Sequence, residues 1–409
     1  MKIAHISTAR TGGAGIAAYR IHQGLLKYGK DIESDFVQKL ENPDPESHFY
    51  RCTHYHDFYY RVVSKLGFES YLTQEGRYKR IISSYPSDYE IVTYPVSYYP
   101  IEDHPIVENA DIIHLHWVGQ FLNYPSFFKK IKQPVVWTLH DPNPSLGLFH
   151  YEEDQQRNVA TLGKLDKEIL YEKGISIHKK NNLFIACPSE WVKKKSEASI
   201  NLKRYPHYLI PYGIEALNYP LLDKKESKLK LNIDNERKNI LFVAHNIDVY
   251  RKGIDLLIGA LNGVDPSLYN LIAIGGGNLN FGVDEKINLI TLNHISDIAE
   301  LNIAYSAADV TIVPSREDMF NQVMLESLIN GTPVISFSNG GMAEHIRTGE
   351  NGILVDEINS EALKNAINNF LENKYNFDRT IIREYPIQHL SSRLQTERYI
   401  DLYNQILKK

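Results

Sequence analysis

The sequence contains very little cysteine and no strong excess of charge. Only Cys52 and Cys187 occur among 409 residues, and they show neither the C-x-x-C pattern nor the spacing of a zinc site. This scarcity argues against a disulfide-stabilised extracellular domain and favours a reducing compartment. The net charge of −5 provides no overall attraction to nucleic acid.

Long apolar segments are also missing. No run approaches the roughly 20 residues that span a bilayer, and residues 1–6 begin as a strand without the basic and apolar regions of a signal peptide. We therefore expect a cytoplasmic protein, with peripheral contact at the inner membrane face as an open option. A length of 409 residues predicts two domains.

Short apolar runs alternate with helical patterns along the chain. The first half has predicted helices at 16–28 and 124–132 and predicted strands at 4–8, 33–38, 111–117, 135–139, 183–188 and 207–210. The second half has predicted strands at 239–244, 271–275, 287–292, 310–314, 334–337 and 353–355. This alternation predicts an α/β protein with two doubly wound, Rossmann-like domains that face each other across a cleft.

The predicted boundaries fall in polar stretches. We expect an N-terminal domain at 1–215, a C-terminal domain at 216–386, and a final helix at 387–409 that packs back on the first domain. An insertion at about 54–99 is rich in tyrosine. It is interpreted as an ordinary packed helical subdomain, with an acceptor-binding or membrane-surface face as the alternative.

Residues 311–337 form the most informative segment. The pattern predicts a strand, a polar loop, a short helix that stops at Gly331, and another strand. Such a unit points a helix N-terminus at the edge of the sheet, where backbone N–H groups and the helix dipole favour an anion. The carboxylates of Asp318 and Glu326 flank this loop and suit sugar hydroxyls. The combination predicts a nucleotide-sugar pocket.

Several short motifs stand in a fixed order along the chain. They are Gly12-Gly13, Thr138-Leu-His140, Pro188-Ser-Glu-Trp191, Arg251-Lys-Gly253, Ala307-Ala-Asp309, Pro314-Ser315, Asp318 to Glu326, Gly331-Thr-Pro333, Gly340-Gly341 with Glu344, and Asn351-Gly352. Through them the chain resembles a family 4 glycosyltransferase of the GT-B type, especially bacterial polysaccharide or capsule enzymes. The resemblance covers nearly the whole chain except the insertion.

The resemblance implies roles for the two acids. Asp318 would contact hydroxyls of the donor sugar as a catalytic residue, although the family usually has Glu at this place, which leaves the sugar open. Glu317 is the alternative acid. Glu326 would hold the ribose diol, because a carboxylate accepts hydrogen bonds from both hydroxyls. The plain alternative is a pair of carboxylates that favour the helix dipole.

The resemblance also implies a diphosphate site. Lys252 would stabilise the leaving group as its negative charge grows. The family has an Arg where this chain has Asn246, and Arg251 is a candidate replacement; a solvated basic helix start is the alternative. Gly13 would allow its loop to close over the phosphates, with a bare tight turn as the alternative. Backbone N–H groups of the loop would hold the diphosphate, namely those of Asn321, Gln322 and Val323.

The remaining candidates lie at other predicted strand ends. His140 matches a catalytic family histidine near the reacting sugar, and His116 and Asp141 are weaker candidates for the acceptor side. His114 is interpreted as a structural histidine, and no ligand pattern supports a zinc site with its neighbours. Two further groups of residues would contact the nucleotide-sugar donor. They are His294 and Ile295 beside the nucleobase, and Phe320 in the phosphate loop.

Together with these features, the resemblance implies a retaining glycosyltransferase, with the acceptor domain at 1–215 and the donor domain at 216–386. It would move a hexose-type sugar from a nucleoside diphosphate sugar, UDP- or GDP-linked, to a hydroxyl of a glycan or lipid-linked acceptor, without a metal or other cofactor. No DxD-type metal motif is evident. The alternatives are a nucleotide-sugar-binding protein without activity and a nucleotide-sugar epimerase of the same architecture. The sugar, the base and the acceptor are not identified by the sequence.

Overall fold

The computed structural model describes residues 1–40, 42–55, 58–86, 88–233, 236–277 and 282–408. They form two compact units, Met1–Ile210 with Thr396–Lys409 and Pro211–Gln395. Residues 211–215 and 387–395 therefore belong to the second unit. The reason is a backbone bridge, in which the Ile214 N–H donates to Leu390 O at 2.8 Å and the Ser392 N–H donates to Ile214 O at 3.0 Å.

The first unit contains a parallel seven-stranded sheet in the order β3-β2-β1-β4-β5-β6-β7. Its strands are β1 Lys2–Ser7, β2 Glu33–Gln38, β3 Phe49–Arg51, β4 Ile112–Leu115, β5 Val135–Thr138, β6 Leu183–Cys187 and β7 His207–Leu209. Its helices are α1 Gly12–Tyr28, α2 Phe58–Lys65, α3 Glu69–Leu72, α4 Gln74–Ser83, α5 Pro105–Glu108, α6 Tyr124–Lys130, α7 Glu152–Arg157, α8 Val159–Ile177 and α9 Glu190–Ala198. The central strands are buried on both faces, which explains their continuous apolar runs.

The second unit contains a parallel six-stranded sheet in the order β10-β9-β8-β11-β12-β13. Its strands are β8 Lys238–Asn246, β9 Tyr269–Gly276, β10 Asn288–Leu292, β11 Val310–Val313, β12 Val334–Phe337 and β13 Gly352–Val355. Its helices are α10 Lys224–Lys230, α11 Ile254–Leu261, α12 Ile298–Ala307, α13 Gln322–Ile329, α14 Ser360–Leu371 and α15 Arg379–His389, and α16 Ser392–Leu407 follows. Both sheets confirm the predicted doubly wound α/β class.

The strand order reverses direction at one point in each sheet. This switch point lies between β1 and β4 in the first unit and between β8 and β11 in the second. Ligands of open parallel sheets bind outside the carboxyl ends of the strands at such points. The loops after these four strands are therefore the places to look for a site.

Among the predicted bounds that differ from the structure, two differ for a clear physical reason. Helix α1 begins at Gly12 rather than at residue 16, and the glycine-rich segment forms its first turn. A Cβ on Gly15 would lie 2.7 Å from Ala9 O, so the tight entry requires glycine there. The predicted final helix at 387–409 is interrupted after His389, where the backbone of residues 390–392 pairs with Ile214 instead.

Helix α16 packs against the first sheet. It shares a core with residues of β1, α1, β4 and β5 through Tyr399, Leu402, Tyr403 and Ile406.

The insertion is helical, and its Tyr78 is buried with Phe149 and Leu165. Across the described ranges no helix is both long and apolar enough to cross a bilayer.

Candidate functional site

A buried ionic cluster lies at the switch point of the second sheet. The Lys252 Nζ donates to Asp318 Oδ2 at 2.8 Å, and the Asn321 Nδ2 donates to the same oxygen at 2.8 Å. Lys252 lies in the loop after β8, and Asp318 and Asn321 lie in the loop after β11. Both loops leave the carboxyl edge of the sheet, which brings residues 66 positions apart into contact.

A second cation reinforces the cluster. The Arg251 guanidinium lies 3.7 Å from Asp318 Oδ2 and donates to Glu317 O at 3.1 Å. Burial opposes the ionisation of Asp318, but Lys252 and Arg251 outweigh it and hold the pKa of this carboxyl below its ordinary value. Asp318 is therefore a carboxylate at neutral pH, and its site carries fixed charges of both signs.

The two loops are held together by close backbone contact. Gly253 has φ of +70°, and a Cβ on it would lie 1.9 Å from Pro314 O. Arg316 adds a double hydrogen bond to Asp255, at 2.8 and 2.5 Å, and its backbone N–H donates to Arg251 O. These contacts fix the position of Lys252 relative to Asp318.

Helix α13 starts directly beside the cluster. The Asn321 Oδ1 accepts a hydrogen bond from the Met324 N–H at 3.2 Å and caps the helix, whose first residue is Gln322. The Val323 side chain packs into the core behind the helix. Phe320 is buried between the rings of Tyr212 and His345, each 4.9 Å away. The start of helix α13 therefore lies directly after the loop that carries Asp318, as the sequence pattern predicted.

Glu326 lies one turn further along α13. The Tyr305 hydroxyl on α12 donates to Glu326 Oε2 at 3.0 Å, and both side chains are buried. Tyr305 is itself fixed, because its backbone carbonyl accepts a hydrogen bond from the Thr332 hydroxyl at 2.7 Å. The carboxylate of Glu326 is thus held in one orientation by a rigid donor.

The candidates for base and phosphate contact lie at neighbouring strand ends. Asn246 ends β8, is exposed, and accepts a hydrogen bond from the Asp248 N–H at 3.0 Å. His294 follows β10, and its ring lies 4.8 Å from that of His245. Ile295 packs against the core of the unit. These residues share the carboxyl edge of the sheet with Lys252 and Asp318.

The switch point of the first sheet carries a chain of imidazoles. The His5 Nδ1 is 2.8 Å from His116 Nε2, and the His116 Nδ1 is 3.0 Å from His140 Nε2. Burial lowers the pKa of His140 to about 4, despite the opposing charge of Asp141. Burial and the neighbouring rings hold the pKa of His116 well below its usual range. These rings are therefore neutral at pH 7.

His114 is paired at both ring nitrogens, as expected of a structural histidine. Its Nδ1 pairs with the Tyr403 hydroxyl and its Nε2 with the Thr138 hydroxyl, both at 2.7 Å. His5, His114 and His116 offer ring nitrogens within 4.8 Å of one another, close enough to consider a metal ion. A metal there would have to displace a hydrogen bond of His114 and one of His116, because both nitrogens of each of these rings are already paired.

Asp141 lies beside His140 in a small pocket of the first unit that His116 and His150 also line. Its Oδ2 accepts hydrogen bonds from His150 Nδ1 and Trp117 Nε1, both at 2.6 Å. Burial opposes the ionisation of Asp141, but His150 and these hydrogen bonds keep its pKa below the ordinary value. Asp141 is thus a buried, fully engaged carboxylate that organises the pocket wall.

A buried lysine supports the same pocket. The Lys173 Nζ donates to Asn143 Oδ1 at 2.8 Å and to Gly147 O at 2.6 Å. Burial lowers the pKa of Lys173 to about 7.

Gly13 lies in the first turn of α1, and a Cβ on it would meet no atom within 4 Å. The fold itself therefore does not require glycine at this position.

The sequence patterns missed four residues that shape these sites. Tyr305, His5, His150 and Lys173 contact predicted site residues, or the loop that carries them, from elements distant in sequence. His5 carried a usable signal, because it is a polar residue inside a buried strand. The other three have no local pattern that distinguishes them.

Comparisons with known proteins found similarity to a family model, to curated proteins and to solved structures. Residues 223–386 match the family model described as "Glycosyl transferases group 1". The glycogen synthase of Thermodesulfovibrio yellowstonii is 26% identical over 218 residues, which are 51% of this chain and 43% of that protein. The chain spans only 36% to 65% of the length of this and two other curated relatives.

Two solved structures align over nearly the whole chain. Sucrose-phosphate synthase from Thermosynechococcus elongatus has a TM-score of 0.69 at 18% identity and covers 100% of this chain and 99% of its own. Anabaena HepE in complex with UDP-glucose has a TM-score of 0.68 at 15% identity and covers 99% of this chain and 100% of its own. Residues 223–386 thus match the group 1 glycosyl transferases, and the chain has the GT-B glycosyltransferase fold with its two Rossmann-like domains.

Proposed function

We propose that the protein is a retaining glycosyltransferase that uses a nucleoside diphosphate sugar. The observation that supports this most is the Lys252–Asp318–Asn321 cluster at the switch point of the second sheet, beside the start of α13. A cation and backbone N–H groups suit a diphosphate, and buried carboxylates suit hydroxyls. Anabaena HepE, which shares the fold, was solved with UDP-glucose.

In this proposal each residue has one task. Lys252, helped by the N–H groups at the start of α13, stabilises the charge that develops on the diphosphate as the glycosidic bond breaks. Asp318 orients hydroxyls of a hexose-type sugar, and Glu326, held by Tyr305, binds the ribose diol. A phosphate oxygen of the leaving group takes the proton of the acceptor hydroxyl. No step assigns a task to a metal ion.

The acceptor belongs to the same proposal. We assign His116 and Asp141 to the acceptor side or the cleft, with a glycan or lipid-linked hydroxyl as the substrate. His140, which lines the same pocket, is assigned to the reacting sugar as a catalytic residue. Membership in family 4, a role in bacterial polysaccharide or capsule synthesis, and a UDP- or GDP-linked donor follow from the motif resemblance. The Asp at 318, where the family usually has Glu, leaves the sugar itself open.

The experiment measures binding first and turnover second. A thermal-shift screen of the full chain with UDP-, GDP-, ADP- and CMP-linked sugars selects the donor. Release of free nucleotide is then followed with and without glycan acceptors, and we expect release that depends on the acceptor and a product of unchanged anomeric configuration. We expect the same rate in EDTA, whereas loss of activity that manganese restores would contradict the proposed role of Lys252.

The alternatives give different results. Binding of a nucleotide sugar without release under any acceptor would identify an inactive binding protein. A changed sugar on an intact nucleotide, formed without an acceptor, would identify an epimerase. Either result would refute transfer.

A further inference from the structure

The three imidazoles His5, His116 and His140 are joined in one direction. Each link uses the Nδ1 of one ring and the Nε2 of the next, at 2.8 and 3.0 Å. A neutral imidazole carries one proton, so it donates through one nitrogen and accepts through the other. The tautomers of the three rings are therefore coupled: the tautomer of His5 determines that of His116, which determines that of His140.

The His5 end of this row of imidazoles determines the direction of its hydrogen bonds. The Nε2 of His5 is buried and has no hydrogen-bond partner among the described residues. A buried N–H without a partner is rarer and costlier than a buried lone pair. The proton of His5 therefore lies on Nδ1 and is donated to His116 Nε2. The proton of His116 then lies on Nδ1 and is donated to His140 Nε2.

The surroundings keep these three imidazoles neutral. His5 is 0% exposed and His116 is 2% exposed. Burial and the neighbouring rings hold the pKa of both histidines well below the usual range. A protonated ring in the chain would break the one-proton-per-link pattern, and its burial disfavours that state. The pattern is thus maintained across the neutral pH range.

We propose that His5 and His116 are positioning residues that hold His140 in the tautomer with its proton on Nδ1. The Nε2 of His140 is then used as an acceptor inside the protein, and the only N–H of this ring is at Nδ1. In this state the Nδ1 of His140 is a hydrogen-bond donor and cannot accept a proton. His140 is then an orienting donor and not the general base.

The assigned tautomer of His140 adds detail to the proposed glycosyl transfer. Only its expected effect on kcat rests on that proposed function. A histidine that cannot accept the proton of the acceptor hydroxyl leaves that task to the departing phosphate. The tautomer itself is a property of the folded protein and can be observed without any substrate. The two claims can therefore fail separately.

The test uses ¹⁵N-labelled histidine in the full chain. The shifts of the ring nitrogens distinguish protonated from unprotonated sites, and His140→Gln assigns the signals of His140. We expect a protonated Nδ1 and an unprotonated Nε2 in the wild type. A proton on Nε2 of His140 would overturn the proposal. So would stoichiometric zinc bound by His5, His114 and His116, because it would take up the lone pairs of these rings.

Three variants separate positioning from packing. His5→Phe removes the donor, so we expect His140 to populate the other tautomer and kcat to fall with little change in donor KM. His5→Asn places an N–H near the former Nδ1 and should restore both. His22→Phe changes a buried histidine outside the chain, whose ring lies 5.7 Å from that of His5, and should leave the tautomer intact.

An unchanged His140 spectrum in His5→Phe would contradict the coupling. If that variant does not fold, the wild-type spectrum still decides the tautomer. If no donor is turned over, the proposed function fails, while the spectra still decide the positioning role.

Discussion

At the scale of single residues, the decisive group is Asp318. Its Oδ2 accepts hydrogen bonds from Lys252 and Asn321, and the Arg251 guanidinium lies 3.7 Å away. Two hydrogen-bond donors and one nearby cation around a single carboxylate oxygen define the geometry of the site before any ligand contact is considered. Removing a donor and removing the carboxylate are therefore unequal changes, because only the second leaves buried cations without an anion.

We predict that Lys252→Ala lowers kcat by about 10²- to 10³-fold, the usual effect of removing one group that stabilises a developing negative charge. The fold should survive, because Arg251 and Asn321 still contact Asp318. Steady-state kinetics with the selected donor measure the effect.

Lys224→Ala is the matched control. Lys224 forms a similar half-buried pair with Asp309, at 2.6 Å, but at the amino end of β11. It should retain turnover. Near-normal turnover of Lys252→Ala, or an equal loss in both variants, would refute the role of Lys252.

At the scale of elements, the loops after β8 and β11 act as one rigid piece. Gly253 makes this possible, because its backbone adopts positive φ and approaches Pro314 O more closely than any side chain would allow. The contact joins the element that carries Lys252 to the one that carries Asp318.

We predict that Gly253→Ala destabilises the second unit by at least about 1–2 kcal/mol, the cost of a left-handed backbone at a residue with a Cβ. The collision with Pro314 adds to this cost. Urea denaturation gives the free energy of unfolding. Gly276→Ala is the control, since its Cβ would lie 3.5 Å from the nearest atom, and equal stability of the two variants would contradict the explanation.

The sequence predicted the elements well and the contacts between them poorly. Strands 33–38 and 334–337 were predicted with the bounds that the structure shows, because local apolar runs and glycine stops determine them. The three-residue β3 was missed since it is too short to show a period. The break before α16 was missed because Ile214, far away in sequence, causes it.

The same distinction applies to the candidate sites. The loop of Asp318 and Asn321 could be read directly, since its residues are consecutive and follow a strand. The partners His5 and Tyr305 could not, because their contacts join residues 111 and 21 positions away. Hydrogen bonds of that kind depend on strand order and helix packing, which a single sequence does not display.

At the scale of the whole molecule, the chain buries an unusual set of neutral histidines. Burial, the first cause in each case, lowers the pKa of His22, His140 and His345 to about 4 and holds that of His5, His114 and His116 well below the usual value. In the unfolded chain their pKa is about 6.5. Below pH 6.5 the unfolded state therefore binds more protons than the folded state. The free energy of unfolding must then decrease as the pH is lowered.

We predict that the free energy of unfolding decreases between pH 6.5 and 4 by up to about 1.4 kcal/mol per pH unit for each such histidine. Asp141 and Asp318, whose pKa is lowered, contribute a loss only below about pH 4. Denaturant titrations at several pH values measure the slope. His22→Phe should reduce it by the share of one histidine, and a flat profile from pH 6.5 to 5 would contradict the prediction.

The shared oxygen of Asp318 has a consequence for how this site could change over generations. Since several positive or amide groups converge on one anion, a cation lost at one position could be compensated from another without moving the carboxylate. By this reasoning Arg251, which lies 3.7 Å from the carboxylate, is a candidate to supply the charge that Asn246 does not carry. In such a cluster a substitution of the shared carboxylate disturbs every contact together, whereas a substitution of one cation disturbs only its own contact.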